Sequence, residues 1–378
     1  AVAALVGGLE VAHFIFMRFR DGLRLDATEW LIDRSSVHLM QELATAARAA
    51  VPAGRKVLIV AESHENEVRY LQPADEGGHG FDAVWVDDFY WSLRRFGTGE
   101  TAGRLQDYSG ALDAVARTLN QGFHYEGDHS AFCGGPRGSR ARDVPAWHFH
   151  YALQHHDHVG NRAMGDRLHH ATGLDWYRVA SAVLLLQPAT PLLFMGQEFA
   201  SSSPFRFFTD HNEQLGRAVA RGRRREFMSD PQFDRSLRLP NPQAVASFDS
   251  SVLPLEERSR SPGREIEALY RSLISLRSRD SVLRAQKRRG FRAAALHDEL
   301  LMLHWDQAEG ARMLLANFGP SRRVAFAAAG VTAVQWTPVL ATNATQFGGD
   351  GEFCDVDETG VCVPGHTAVF LEAGPDSA

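Results

Sequence analysis

Short apolar runs, several of them ending at an acidic residue, organise the first two-thirds of this chain. Leu23-Arg24-Leu25-Asp26-Ala27, Val57-Leu58-Ile59-Val60-Ala61-Glu62 and Phe81-Asp82-Ala83-Val84-Trp85-Val86-Asp87 read as strands. So do residues 148–155, ahead of His156-Asp157, and Pro191-Leu192-Leu193-Phe194-Met195-Gly196. Branched apolar residues in such runs suit strands buried on both faces, as in a parallel sheet covered by helices. Helical spacing fills the gaps: up to Arg20, from Trp30 to Ala50, from near Phe89, and from Trp176 to Leu186. Residues 121–146, rich in Gly, Arg, Asp and Pro, predict a long loop, and residues 228–262 an irregular stretch. A clear amphipathic helix follows at 264–278, with Ile266, Leu269, Tyr270, Leu273 and Leu276 on one side.

Beyond about residue 288 the pattern changes to short strands: Leu300–Trp305, Arg312–Asn317, Val324–Ala327, Val331–Pro338 and Thr367–Glu372. Turns containing Gly and Asp separate several of them, which predicts a small antiparallel sandwich over residues 289–378.

Composition narrows the function more than the fold. A net charge of −6 argues against a nucleic-acid partner. The dense run Arg221, Arg223, Arg224 and Arg225 is short and reads as a solvated helix face. No stretch approaches the roughly 18 apolar residues of a membrane span. The apolar opening Ala1 to Met17 lacks a basic leading region and carries Gly7-Gly8 and Glu10, so it is not read as a signal peptide. Cysteines occur only at 133, 354 and 362, and free thiols in a reducing cytoplasm are expected over a pairing of Cys354 with Cys362. Histidines at 148, 150, 155, 156 and 158 raise the question of zinc, but no convincing tetrad completes itself, and no metal is expected.

The chemistry is carried by carboxylates. Asp26, Glu62 and Asp157 each close a strand, where barrel enzymes place their reactive groups. Asp26 and Glu62 are 36 residues apart, about one strand-helix unit. Carboxylates on neighbouring strand ends can flank a glycosidic bond, one as nucleophile and one as acid and base. Either alone is better explained as a cap on the following helix. Three in order, with Arg24 on the same strand face as Asp26, favour catalysis. Arg24 would keep the nucleophile charged, and the apolar strand before Glu62 would raise the pKa of an acid.

In that order, Leu-Arg-Leu-Asp, Ala-Glu and His-Asp resemble the α-amylase family, glycoside hydrolase family 13. The segments Trp85-Val86-Asp87-Asp88-Phe89, Gln154 to Ala163, Pro191 to Glu198, Phe207-Phe208-Thr209-Asp210-His211 and Gly222 to Phe227 narrow the resemblance to the malto-oligosyltrehalose trehalohydrolase family. It covers most of residues 21 to 290. The resemblance implies hydrolysis of the α-1,4 bond next to the terminal trehalose of a maltooligosyltrehalose substrate. It implies Asp26 as nucleophile, Glu62 as general acid/base and Asp157 as the holder of sugar hydroxyls, without metal or organic cofactor. Arg24, Trp85, Asp88, His156, Asp210 and His211 are the expected substrate-binding residues. Another α-amylase-type activity (a branching enzyme or α-glucanotransferase) or a non-catalytic carbohydrate-binding homologue is the alternative.

The chain departs from that family at four places. Glu29 stands where the family has histidine, His155 where it has asparagine, His158 where it has glutamine, and Tyr90-Trp91 where it has two histidines. Its first three barrel strands, the Asn-His motif of the third, and its N-terminal β-domain have no counterpart here. Residues 1–288 are therefore expected to form strands four to eight of a (β/α)8 barrel. The missing half would belong to a longer protein or be supplied otherwise, and the absence of an initiator Met fits a fragment.

Overall fold

The structure is a computed structural model and describes residues 22–373 apart from 53, 230–232, 332–334 and 353. The helix expected before Arg20 lies outside the described residues. Five strands form one parallel sheet: β1 (Gly22–Leu25), β2 (Leu58–Glu62), β3 (Ala83–Trp85), β6 (Phe149–Ala152) and β7 (Thr190–Leu192), in that order. All five overlap the expected segments, although β7 ends at Leu192, short of the expected Gly196. Ile59, Val60, Ala61, Ala83 and Val84 are buried, as expected of strands covered on both faces. The registers Arg24 with Val60 and Glu62 with Trp85 bring three strand ends to one edge. At the flanks of the sheet, β1 and β7 each have one strand neighbour among the described residues.

Three stretches differ from their sequence pattern. Only Leu39–Ala50 of the 30–50 segment is α-helical, preceded by a single 3-10 turn at Thr28–Trp30. Asp33 breaks the helix by taking the Ser35 and Leu39 N–H groups at 2.9 and 2.6 Å. The ring of His38 then caps the true start by accepting from Met40 N–H. The 121–146 loop contains a hairpin, β4 (Glu126–Ser130) with β5 (Gly135–Gly138), turned at Gly134 with φ of 69°. Its Arg137 reaches inward to the His64 carbonyl at 2.6 Å. Among its described residues the irregular 228–262 stretch holds two short helical turns, Val245–Asp249 and Leu255–Ser259.

The C-terminal strands are β8 (Phe291–His297), β9 (Leu300–Trp305), β10 (Arg312–Asn317), β11 (Arg322–Ala325), β12 (Trp336–Ala341), β13 (Val356–Asp357), β14 (Gly360–Val363) and β15 (Thr367–Ala373). They form an antiparallel sheet in the order β12-β15-β10-β9-β8 and a smaller one, β11-β14-β13. Because side chains alternate across a strand, the larger sheet is apolar on both faces. Leu300, Met302, Met313, Leu315, Val369 and Leu371 pack against the smaller sheet. Leu301, Leu303, Leu314, Ala316 and Phe370 join the main core beside the helix Leu174–Leu186. Cys133, Cys354 and Cys362 are free thiols. Among the described residues no helix is long and apolar enough to cross a membrane.

Candidate active site

Arg24 is the centre of the site. Its Nη1 holds the Asp26 carboxylate, its Nη2 lies 3.2 Å from Glu62 Oε2, and its guanidinium rests 4.3 Å above the Trp85 ring. The parallel register makes this possible, since β1, β2 and β3 end at the same level. Asp26 is largely exposed, whereas Glu62 is 6% exposed.

A backbone reversal ties the two acids together. Ala27 adopts left-handed dihedrals, φ 46° and ψ 49°, a conformation that costs a residue with a Cβ about 1–2 kcal/mol. It aims the Ala27 N–H at Glu62 Oε2, 2.7 Å away, and the next residue, Thr28, donates its hydroxyl to the Glu62 carbonyl at 2.7 Å. Burial pushes the Glu62 pKa up, and the Ala27 N–H and Arg24 pull against it. Both of these partners sit on Oε2, which leaves Oε1 to carry a proton.

Asp157 lies in the first turn of the short helix His156–Gly160, next to β6. Its negative charge helps to raise the Glu62 pKa. His156 Nε2 is 3.4 Å from Asp157 Oδ2, and its ring meets the edge of Trp85 with centroids 6.3 Å apart. Arg24, Asp26, Glu62, Trp85, His156 and Asp157 are thus brought together.

Asp88 is corrected. It is fully buried and satisfied internally by Asn66 Nδ2 and the Tyr108 hydroxyl, both at 2.7 Å, and by Arg137 Nη2 at 3.2 Å. A carboxylate with no surface cannot meet a sugar, so Asp88 is part of the framework. Asp210 and His211 lie on an exposed segment, where Gln243 donates to the His211 carbonyl at 2.8 Å. Among the described residues no hydrogen bond or ion pair joins them to the Arg24 cluster.

Asp87, one position earlier, was missed. It is 9% exposed and surrounded by imidazoles: His155 Nε2 at 2.9 Å, His158 Nε2 at 3.3 Å and His64 Nδ1 at 3.4 Å. Burial opposes its charge, but His158 and His155 hold its carboxyl well below the usual range. Burial pushes His158 down to about 3, against the pull of Asp87. The available signal was the strand's period of two, which puts Asp87 on the face of Trp85. Arg223 was also misread as solvated. It donates to the carbonyls of Gly160 and Arg162 at 2.7 and 2.9 Å and lies 4.6 Å over Phe207. A cation on the last carbonyls of the Asp157 helix is well placed for that helix's dipole.

No family model matches the chain. It is 38% identical over 306 residues to malto-oligosyltrehalose trehalohydrolase of Deinococcus radiodurans, a match covering 80% of this chain and 49% of that protein. It is 39% identical over 265 residues to the protein of the same name from Rhizobium sp., covering 68% of this chain and 43% of that one. The chain therefore spans about half the length of these curated relatives. The solved structure of a putative α-amylase from Salmonella typhimurium superposes with a TM-score of 0.82 at 30% identity, over 97% of this chain and 59% of that one. The α-amylase of H. orenii, at 13% identity and a TM-score of 0.60, shares the fold. The architecture is accordingly that of the C-terminal part of a (β/α)8 barrel followed by an antiparallel β-domain.

Proposed function

We propose that this chain, a member of the α-amylase family homologous to the malto-oligosyltrehalose trehalohydrolases, carries the catalytic carboxylates of a retaining α-glycosidase. The proposed substrate is maltooligosyltrehalose, cleaved at the α-1,4 bond beside its terminal trehalose to release trehalose. Residues 1–288 are assigned to the partial catalytic barrel, 289–378 to the C-terminal sandwich, and the protein to the cytoplasm.

The observation that carries this reading is the shared guanidinium of Arg24. It pairs with Asp26, the proposed attacker of the anomeric carbon, and reaches Glu62 Oε2, while burial raises the Glu62 pKa toward use as an acid. In the first step Glu62 Oε1 gives its proton to the leaving oxygen as Asp26 bonds to the sugar. In the second step Glu62 takes a proton from water, which displaces Asp26. Asp157 and His156 would hold sugar hydroxyls beside the reacting carbon, and Trp85 supplies an apolar wall. Each role is filled by a side chain already present, and the chemistry needs no cofactor.

A second reading, sugar binding without turnover, is supported by the two sheet flanks that have a single neighbour among the described residues. Incubating residues 1–378 with maltooligosyltrehalose separates the readings. Trehalose release that disappears in Asp26→Asn supports hydrolysis. Transferred glucan points to a glucanotransferase, and tight binding with no product favours the second reading.

A further inference from the structure

Tyr90, Trp91, His155 and His158, four of the positions that depart from the family pattern, are neighbours in space. The His158 ring lies face to face with Tyr90 at 3.6 Å and with His155 at 3.5 Å, and Trp91 meets it edge-on at 5.3 Å. This stack fixes the plane of His155. Its two nitrogens are then fixed by hydrogen bonds, Nε2 facing Asp87 Oδ1 at 2.9 Å and Nδ1 accepting the Asp157 N–H at 3.2 Å.

A backbone N–H only donates, so Nδ1 is bare and the proton of the neutral ring sits on Nε2, donated to Asp87. The same logic argues against a metal here. Asp87, His155 and His158 bring ligand atoms within 4.8 Å of one another, but a protonated Nε2 has no lone pair to offer. What the arrangement does instead is cap the Asp157 helix. That helix has only five residues, too few to persist by itself, so its clamps decide where Asp157 points. His155 holds its first turn and Arg223 its last.

We propose that Asp87 and His155 are positioning residues for Asp157: Asp87 selects the Nε2–H tautomer of His155, and the bare Nδ1 fixes the turn that aims the Asp157 carboxylate toward Glu62. This deepens, and rests on, the assignment of Asp157 as the carboxylate that holds sugar hydroxyls.

Two measurements on the full 378-residue chain test it. Long-range 15N–1H correlation should show neutral His155 with its proton on Nε2. The tautomer should persist in Asp87→Asn, whose amide oxygen still accepts, and be lost in Asp87→Ala. Calorimetric titration with maltoheptaose gives the second readout. His155→Ala should weaken binding by about tenfold or more, as Asp157→Ala does, since both forfeit hydrogen bonds to a charged acceptor. His155→Asn, whose side chain also caps a helix, should recover binding to within about threefold. The double variant His155→Ala/Asp157→Ala should lose no more than Asp157→Ala alone, because the two act as one unit.

A proton found on Nδ1, or losses that add independently, would overturn the proposal. If the unsubstituted chain binds no maltoheptaose, the sugar-holding role of Asp157 fails separately. The tautomer and its response to Asp87→Ala still decide whether the positioning pair exists.

Discussion

Glu62 receives the N–H of Ala27 at 2.7 Å, a contact between residues 35 positions apart that depends on a left-handed backbone at Ala27. The strand ends of β1 and β2 are thereby joined by more than their register. The residue after Asp26, the proposed nucleophile, thus donates directly to Glu62, the proposed acid. With Arg24 on the same Oε2, the folded chain concentrates positive charge on one oxygen of Glu62 and leaves the other for chemistry.

The raised pKa of Glu62 makes stability fall with pH in a defined window. Between the unfolded and the folded pKa the native state binds more protons than the unfolded state, so stability is lost as pH rises through that interval. Glu62→Gln removes the titration. Relative to the unsubstituted chain it should gain stability at pH 7 and show little gain near pH 4. Thermal melts at the two pH values check this, and an equal shift at both would rule out Glu62 as the source.

Arg24→Ala should raise the Glu62 pKa further, because a stabilising cation is removed from Oε2. The high-pH limb of any rate profile should move to higher pH while the rate falls, since Asp26 loses its ion pair. Arg24→Lys should correct this only in part, as an ammonium cannot bridge two carboxylates with a fixed fork. A 13C titration of the Glu62 carboxyl reads the shift directly.

Role exchange is tested by leaving-group dependence. Glu62→Gln should cost on the order of 10²–10⁴-fold in rate on a natural glycosidic bond. A glycoside whose leaving group departs without a proton should restore the first step in Glu62→Gln and not in Asp26→Asn. Equal restoration in both variants would reverse or void the assignment.

Asp88 should behave as framework. Asp88→Ala leaves Arg137, itself 8% exposed, without its buried partner, and such broken pairs typically cost about 3–5 kcal/mol. Denaturant unfolding should show a loss of that size. Maltoheptaose binding by the fraction that remains folded should be unchanged, and a selective loss of binding would return Asp88 to the site.

The five parallel strands were legible because Ile59-Val60-Ala61 and Ala83-Val84 carry their burial in their composition. That Asp26 and Glu62 emerge side by side was legible because neighbouring strand ends fix where a carboxylate stands. Asp157, expected to close a strand, instead lies in the first turn of the helix His156–Gly160, beyond the end of β6 at Ala152. Asp87 and Asp88 were not separable by type, and only the half-turn between β3 and the helix Asp88–Thr98 decides which one faces the histidines. The hairpin β4-β5 was hidden by Glu126-Gly127-Asp128, residues with little strand propensity, paired nonetheless through Gly138 and Arg137. The inward role of Arg223 could not be seen either, since a cation over Phe207 looks in sequence like any other arginine of a charged helix.

The place of β15 in its sheet has a consequence for the order in which the chain can be completed as it is synthesised. β15 is among the last described segments, yet it lies inside the sheet between β12 and β10. Its Val369 and Leu371 face the smaller sheet, while Ala368 and Phe370 face the helices. A nascent chain that has not yet released residues 367–373 therefore lacks an interior wall for both layers at once. Final consolidation of these layers waits on this strand, and until it is in place the facing edges of β10 and β12 lack their hydrogen-bonding partner.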